Sequence, residues 1–114
     1  MHELSIAINI VEIAVEAAAQ HDGRVVGVHL NMGMLSGVAK EALVSAWELA
    51  RRGSPLEQAA LMIEEIPVAA YCPQCCVQRN IVSPQLLCCE HCDAAMAEIV
   101  RGRELEVVAL ELEE

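Results

Sequence analysis

Cys72-Pro73-Gln74-Cys75 and Cys89-Glu90-His91-Cys92, two pairs separated by thirteen residues, carry the reading of this chain. Each Cys-x-x-Cys fits a tight turn that aims two sulfurs at one point, and four sulfurs complete the closed tetrahedral shell that structural Zn(II) prefers. A closed shell keeps no open coordination position, so this metal is expected to hold a small lobe together and to do no chemistry. A dithiol oxidoreductase is the rival use of such pairs, but it needs one pair near a helix start and gains nothing from a second at zinc spacing. Cys76 and Cys88 adjoin the pairs and create competing three-residue spacers. The two-residue spacer suits the turn better, so both are read as bystanders, with a ligand swap or oxidation between lobes as the sharper alternative. His91, inside the second pair, could replace a sulfur but is expected to point to solvent.

Working outward, the zinc lobe is placed at 68–99, with Pro73 and Pro84 as turn formers. On its amino-terminal side Ala60 to Ile66 reads as a strand ending at Pro67. Before that, Lys40 to Arg52 has helical spacing through Leu43, Ala46, Trp47 and Ala50, closed by Arg51, Arg52 and Gly53. Arg24 to Leu35 alternates, with Val26, Val28, Leu30, Met32 and Met34 on one face and Val25, Gly27, His29, Asn31 and Gly33 on the other. Met32 and Met34 are therefore expected in the core, and His29, like His21, solvated or hydrogen-bonded. The first helix spans Leu4 to Gln20, with a stripe of Leu4, Ile8, Val11, Val15 and Ala18 widened by Ile10, Ile13 and Ala14, and stops at His21-Asp22-Gly23.

On the carboxyl-terminal side Arg103 to Glu113 is a strand whose apolar phase slips between Val107 and Val108. A bulge there would keep both sets inward, and a strand covered on both faces would look similar. The fold class is α+β: a small mixed three-stranded sheet with two helices on one face, formed by residues 1–67 and 100–114, and an inserted four-cysteine zinc-ribbon lobe.

The core must be aliphatic, because phenylalanine is absent and Trp47 and Tyr71 are the only aromatics. The formal charge is −10, and four thiolates around Zn(II) take it to −12. Such a surface repels phosphate backbones, so a nucleic-acid-binding ribbon is disfavoured, while Glu64-Glu65 and Glu111 to Glu114 offer acidic faces to a basic partner. No apolar run reaches the roughly 20 residues of a membrane span. The six cysteines, with no basic-then-apolar leader ahead of them, are read as belonging to a reducing, cytoplasmic compartment.

The opening Met1-His2-Glu3 has the geometry of a chelator. The α-amine and the His2 amide close a five-membered ring on a metal, and that amide with the imidazole Nδ1 closes a six-membered one. Late first-row ions, Ni(II) and Cu(II), favour such nitrogen-rich, near-planar sites. Glu3, through its carboxylate or its own amide, is nearest to the fourth position. The apolar pattern begins at Leu4, so these groups are anchored to a helix and not to a loose tail.

Met-His-Glu at the start, the amphipathic helix behind it, the Arg52-Gly53 turn, the two Cys-x-x-Cys pairs and a glutamate-rich last strand together resemble the HypA/HybF family of nickel metallochaperones, over essentially the whole length. The resemblance implies a non-enzymatic carrier that helps insert Ni(II) into [NiFe]-hydrogenase and, in some organisms, urease. It implies a HypB-type GTPase and the hydrogenase large-subunit precursor as partners. It matches His2 to the family's nickel ligand, Glu3 to its neighbour, and Cys72, Cys75, Cys89 and Cys92 to its zinc ligands. Some relatives place a histidine directly after each Cys-x-x-Cys, where this chain has Cys76 and Asp93, so coupling between zinc and nickel sites is not expected in the same form. A monomer and a homodimer that exchanges zinc lobes both fit. The alternative function is an acidic zinc-ribbon interaction module with no exchangeable metal.

Overall fold

The computed structural model describes residues 3–81, 87–96 and 98–113. In order, the elements are α1 (Glu3–Ala18), β1 (Arg24–Gly33), α2 (Lys40–Ala50), β2 (Ala60–Ile66), β3 (Ala69–Cys72), β4 (Val77–Asn80), β5 (Ile99–Arg101) and β6 (Leu105–Glu113). Two helices and two three-stranded sheets make an α+β protein, with strand orders β2-β1-β6 and β4-β3-β5. The order helix, strand, helix, strand, lobe, strand is as the sequence predicts. The lobe's own strands β3, β4 and β5 were not predicted, because three or four residues are too few for a two-residue period to show. Met1, His2 and the expected turn former Pro84 lie outside the described residues. The chain divides into two compact units, one built from residues up to Asn31, Gly37–Glu64 and residues from Glu106 on, the other from Met32–Ser36 and Glu65–Leu105.

In the first unit α1 and α2 pack against each other. The buried face of α1 is Ala7, Ile10, Val11 and Ala14, while Leu4, Ile8 and Ile13 are exposed. The expected stripe is thus corrected by a rotation about the helix axis. Apolar residues nearly encircle α1, so their period defines its phase weakly, and the fully shielded Ala7 and Ala14 are small enough for close approach of a neighbour. On α2 the buried residues are Leu43, Ala46 and Trp47, at the spacing expected of one helix face. The Trp47 indole is buried with its polar end satisfied: Nε1 donates to the Ala59 carbonyl at 3.0 Å, and Arg51 Nη1 donates to the same oxygen at 2.8 Å. Past α2, Gly53 takes a φ of +70°. Its N–H donates to Glu57 Oε2 at 2.9 Å, which closes the loop predicted at Ser54-Pro55.

Strand β1 is central in its sheet and buries Val28, Leu30 and Met32 on one face, leaving His29 and Asn31 half-buried on the other. Two expectations are corrected. Val25, assigned to the outer face, is buried and lines a cleft with Val15, Ala18 and Leu56, because chain from outside the sheet covers the start of the strand. Met34, assigned to the core, lies past the end of β1 and is 61% exposed. The phase slip in β6 also resolves differently from the expected inward bulge: Leu105, Val107 and Leu110 are half-buried, whereas Val108 and Leu112 are exposed. As an edge strand, β6 has fewer neighbours to cover it. Its glutamates bond back to β1, Glu111 with His29 Nε2 at 2.9 Å and Glu113 with Arg24 Nη2 at 2.8 Å. Charge along an edge also discourages pairing with another chain.

In the second unit β3 is the middle strand, antiparallel to both neighbours. It pairs with β4 in the register Ala69↔Asn80, Ala70↔Arg79, Tyr71↔Gln78 and Cys72↔Val77. Against β5 the register shifts between Ala69 and Ala70. The small core is Ala70, Cys72, Cys89 and Met96, with Cys75, Ile81 and Ala94 packed on it. Gly33 N–H donates to the Glu104 carbonyl at 2.6 Å and Leu35 N–H to the Gly102 carbonyl at 2.6 Å. The backbones approach so closely that a Cβ on Gly33 would overlap the Gly102 carbonyl.

Candidate metal centre

Two turns of the same design build the site. In the first, Cys76 N–H donates to the Cys72 carbonyl at 2.8 Å and Cys75 N–H to the Cys72 sulfur at 3.4 Å. In the second, Asp93 N–H donates to the Cys89 carbonyl at 2.9 Å and His91 N–H to the Cys89 sulfur at 3.4 Å. Each turn closes on a residue in the left-handed region, Cys76 at φ 57° and Asp93 at φ 58°. Aspartate tolerates this conformation better than most residues, whereas cysteine adopts it at a cost.

Chain pairing brings the turns together. Cys72 ends β3, Cys75 follows three residues later, and a bridge between Cys88 and Ala95 presents the second turn. The four sulfurs of Cys72, Cys75, Cys89 and Cys92 lie within 4.8 Å of one another. Cys72 and Cys92 are 3.5 Å apart, Cys75 and Cys92 3.8 Å, and Cys75 and Cys89 3.9 Å. On a regular tetrahedron with Zn–S bonds of about 2.3 Å, neighbouring sulfurs are about 3.8 Å apart. The donor set therefore fits a four-coordinate thiophilic dication, and Zn(II) is the ion for which thiolates at this separation are typical.

The electrostatics point the same way. Cys89 is held down to about 6, first by the His91 backbone N–H and then, against burial, by the Cys92 N–H and the thiols of Cys72 and Cys92. Cys92 is pushed up to about 12. The Ala94 backbone N–H pulls its thiol down, but burial and the sulfurs of Cys72, Cys89 and Cys75 together outweigh it. One sulfur ionises readily and its neighbour then resists, which is the behaviour of crowded anions that a central dication would relieve.

Cys76 and Cys88 stand outside this quartet. Cys76 is exposed with Sγ 3.5 Å from the Pro73 carbonyl, and it raises the Tyr71 hydroxyl pKa chiefly by hydrogen bonding. His91 is exposed, as expected. The sequence reading missed Arg79, whose guanidinium faces the cluster and whose basicity is raised chiefly by hydrogen bonding to Cys75. Its place four residues after a ligand, in a chain with only seven basic side chains, was a usable sign.

Of the opening tripeptide only Glu3 is described. It begins α1, and its carboxylate accepts a hydrogen bond of 3.5 Å from the N–H of Ala39, the N-cap residue of α2. A carboxylate at that position also suits the positive end of the helix dipole. Among the described residues no helix is long and apolar enough to cross a membrane.

Comparison with known proteins gives one consistent result. A family model described as "Hydrogenase/urease nickel incorporation, metallochaperone, hypA" matches residues 1–112. Hydrogenase maturation factor HypA of Chloroflexus aurantiacus is 49% identical, covering 97% of this chain and 98% of the relative. That of Desulfosudis oleivorans is 40% identical over the full length of both. The solution structure of the Ni metallochaperone HypA from Helicobacter pylori superposes with a TM-score of 0.69 at 26% identity, covering 98% of this chain and 97% of that one. With the model match running from the first residue almost to the last, and identity near one half to a full-length relative, the chain belongs to the HypA family of hydrogenase nickel-incorporation metallochaperones.

Proposed function

We propose that this protein carries Ni(II) at its amino terminus and delivers it during maturation of [NiFe]-hydrogenase, while Cys72, Cys75, Cys89 and Cys92 hold a structural Zn(II). Nickel is the cargo. The Met1 amine, the His2 amide and the His2 Nδ1 supply three nitrogens, and Glu3 the fourth donor. Because the Glu3 carboxylate is tied to the start of α2, its main-chain nitrogen, free as one of the first donors of α1, is the better placed of its two groups. A short chelate on the first three residues leaves the ion accessible for transfer. Residues 1–67 and 100–114 form the nickel-binding domain and 68–99 the zinc lobe. Zinc, when bound, cross-links the two cysteine turns and supplies no catalysis.

The observation that carries the reading is the family match beginning at residue 1, so that Met1-His2-Glu3 falls inside it. A HypB-type GTPase and the hydrogenase large-subunit precursor, which are acted on in the cytoplasm, are the partners. The formal charge of −10 favours basic docking surfaces over nucleic acid. The test compares untagged protein, His2→Ala and a form extended at its amino terminus after equal exposure to Ni(II), with nickel and zinc both counted. Loss of stoichiometric nickel in both variants at unchanged zinc is expected. Nickel retained at wild-type affinity by His2→Ala would overturn the site.

A further inference from the structure

Arg79 is a half-buried basic side chain in an acidic chain. Antiparallel pairing sets Arg79 opposite Ala70 and Val77 opposite Cys72, so these four residues share one face of the β4-β3-β5 sheet. That face is the one turned to the small core, since Ala70 and Cys72 both belong to it together with Cys89 and Met96. Arg79 is therefore diagonal to a cluster cysteine, within reach of a long side chain. It is half-buried, its Nε is shielded from water without a hydrogen-bond partner, and among the described residues no carboxylate pairs with it. Arg24, Arg51 and Arg101, by contrast, each have a glutamate. A guanidinium placed so, without an oxygen anion, needs another negative group.

We infer that Arg79 is the counter-ion of the metal centre: it donates N–H bonds to the sulfurs of Cys75 and Cys89 and neutralises part of the charge that four thiolates leave on a bound dication. Four thiolates with Zn(II) carry a net charge of −2, and Arg79 reduces it to −1. N–H donation lowers the energy of a sulfur lone pair and fixes the orientation of the ligand that carries it. Arg79 touches no metal; it is a positioning residue that acts through two ligands. Its planar fork can serve two sulfurs at once.

This inference rests on the reading of the four cysteines as a zinc site. Wild-type protein that takes up no zinc would sink that reading, whereas the Arg79 variants test the counter-ion alone. Zinc affinity is measured by chelator competition for wild type, Arg79→Gln and Arg79→Lys, with the fold of each followed by circular dichroism. Arg79→Gln is expected to bind zinc about 10- to 100-fold more weakly, as loss of an outer hydrogen bond to a ligand typically does. Arg79→Lys, which restores the charge but not the fork, is expected to recover part of the loss. In the Co(II)-substituted protein, replacing the charged guanidinium donors by a neutral amide should move the sulfur-to-metal charge-transfer band of Arg79→Gln to lower energy, a change that packing alone does not make. Wild-type affinity with an unmoved band in Arg79→Gln, or a lysine variant as weak as the glutamine one, would overturn the proposal.

Discussion

The two units of this protein are held by different physics. The first buries Leu30, Leu43, Val28 and Trp47 beneath two helices and three strands of seven to ten residues, so ordinary hydrophobic burial is sufficient. The second has strands of three or four residues, and the cluster around its metal site is four small or medium side chains, Ala70, Cys72, Cys89 and Met96. A lobe that small gains too little from burial to order its backbone and needs a cross-link. Where burial dominates, single methyl groups matter and the metal is irrelevant; where the cross-link dominates, the reverse holds.

The comparison breaks most visibly on metal removal. Stripping zinc with a chelator, or replacing Cys89 with serine, should disorder the second unit, because zinc binding worth about 10 kcal/mol or more is there the folding free energy. Amide resonances of β3, β4 and β5 should collapse while those of α1 and α2 persist. Simultaneous loss of both sets would show one cooperative body.

Acid acts on the same lobe more gradually. A thiol held down to about 6, as in Cys89, contributes stability above its unfolded value and loses it as pH falls through about 6. Bound zinc depresses the thiols further, so release should be negligible at neutral pH and reach its midpoint at or below about pH 6. A zinc-sensitive dye reads this directly, and a midpoint near neutrality would contradict the assigned electrostatics.

In the first unit Leu43→Ala deletes a fully buried side chain and should cost about 2–5 kcal/mol in denaturant unfolding, with zinc content unchanged. A parallel loss of zinc would couple the units. The smallest effect is at Cys76, where glycine relieves a positive φ: Cys76→Gly should stabilise the zinc form by about 1 kcal/mol and retain one zinc per chain. A loss of zinc would return Cys76 to the ligand set.

Legibility in the sequence cut across this divide. The metal quartet was readable because spacing alone dictates the turn, and the long elements because their periods repeat several times. Strands β3, β4 and β5 were hidden by shortness, and the phase of α1 by apolar residues on nearly every side. The exposure of Val108 and Leu112 was not written in their own strand, since it depends on what lies over β6. The tie between Glu3 and Ala39 joins residues 36 positions apart and leaves no local trace.

By itself the amino-acid order determined which four cysteines cluster and the order of the long helices and strands, each a matter of neighbours along the chain. Only the tertiary structure decided which face of α1 is covered, how the two cysteine turns meet, and that Arg79 stands against their sulfurs. Those outcomes depend on segments distant in sequence excluding water from one another, and no local pattern encodes which partner will arrive.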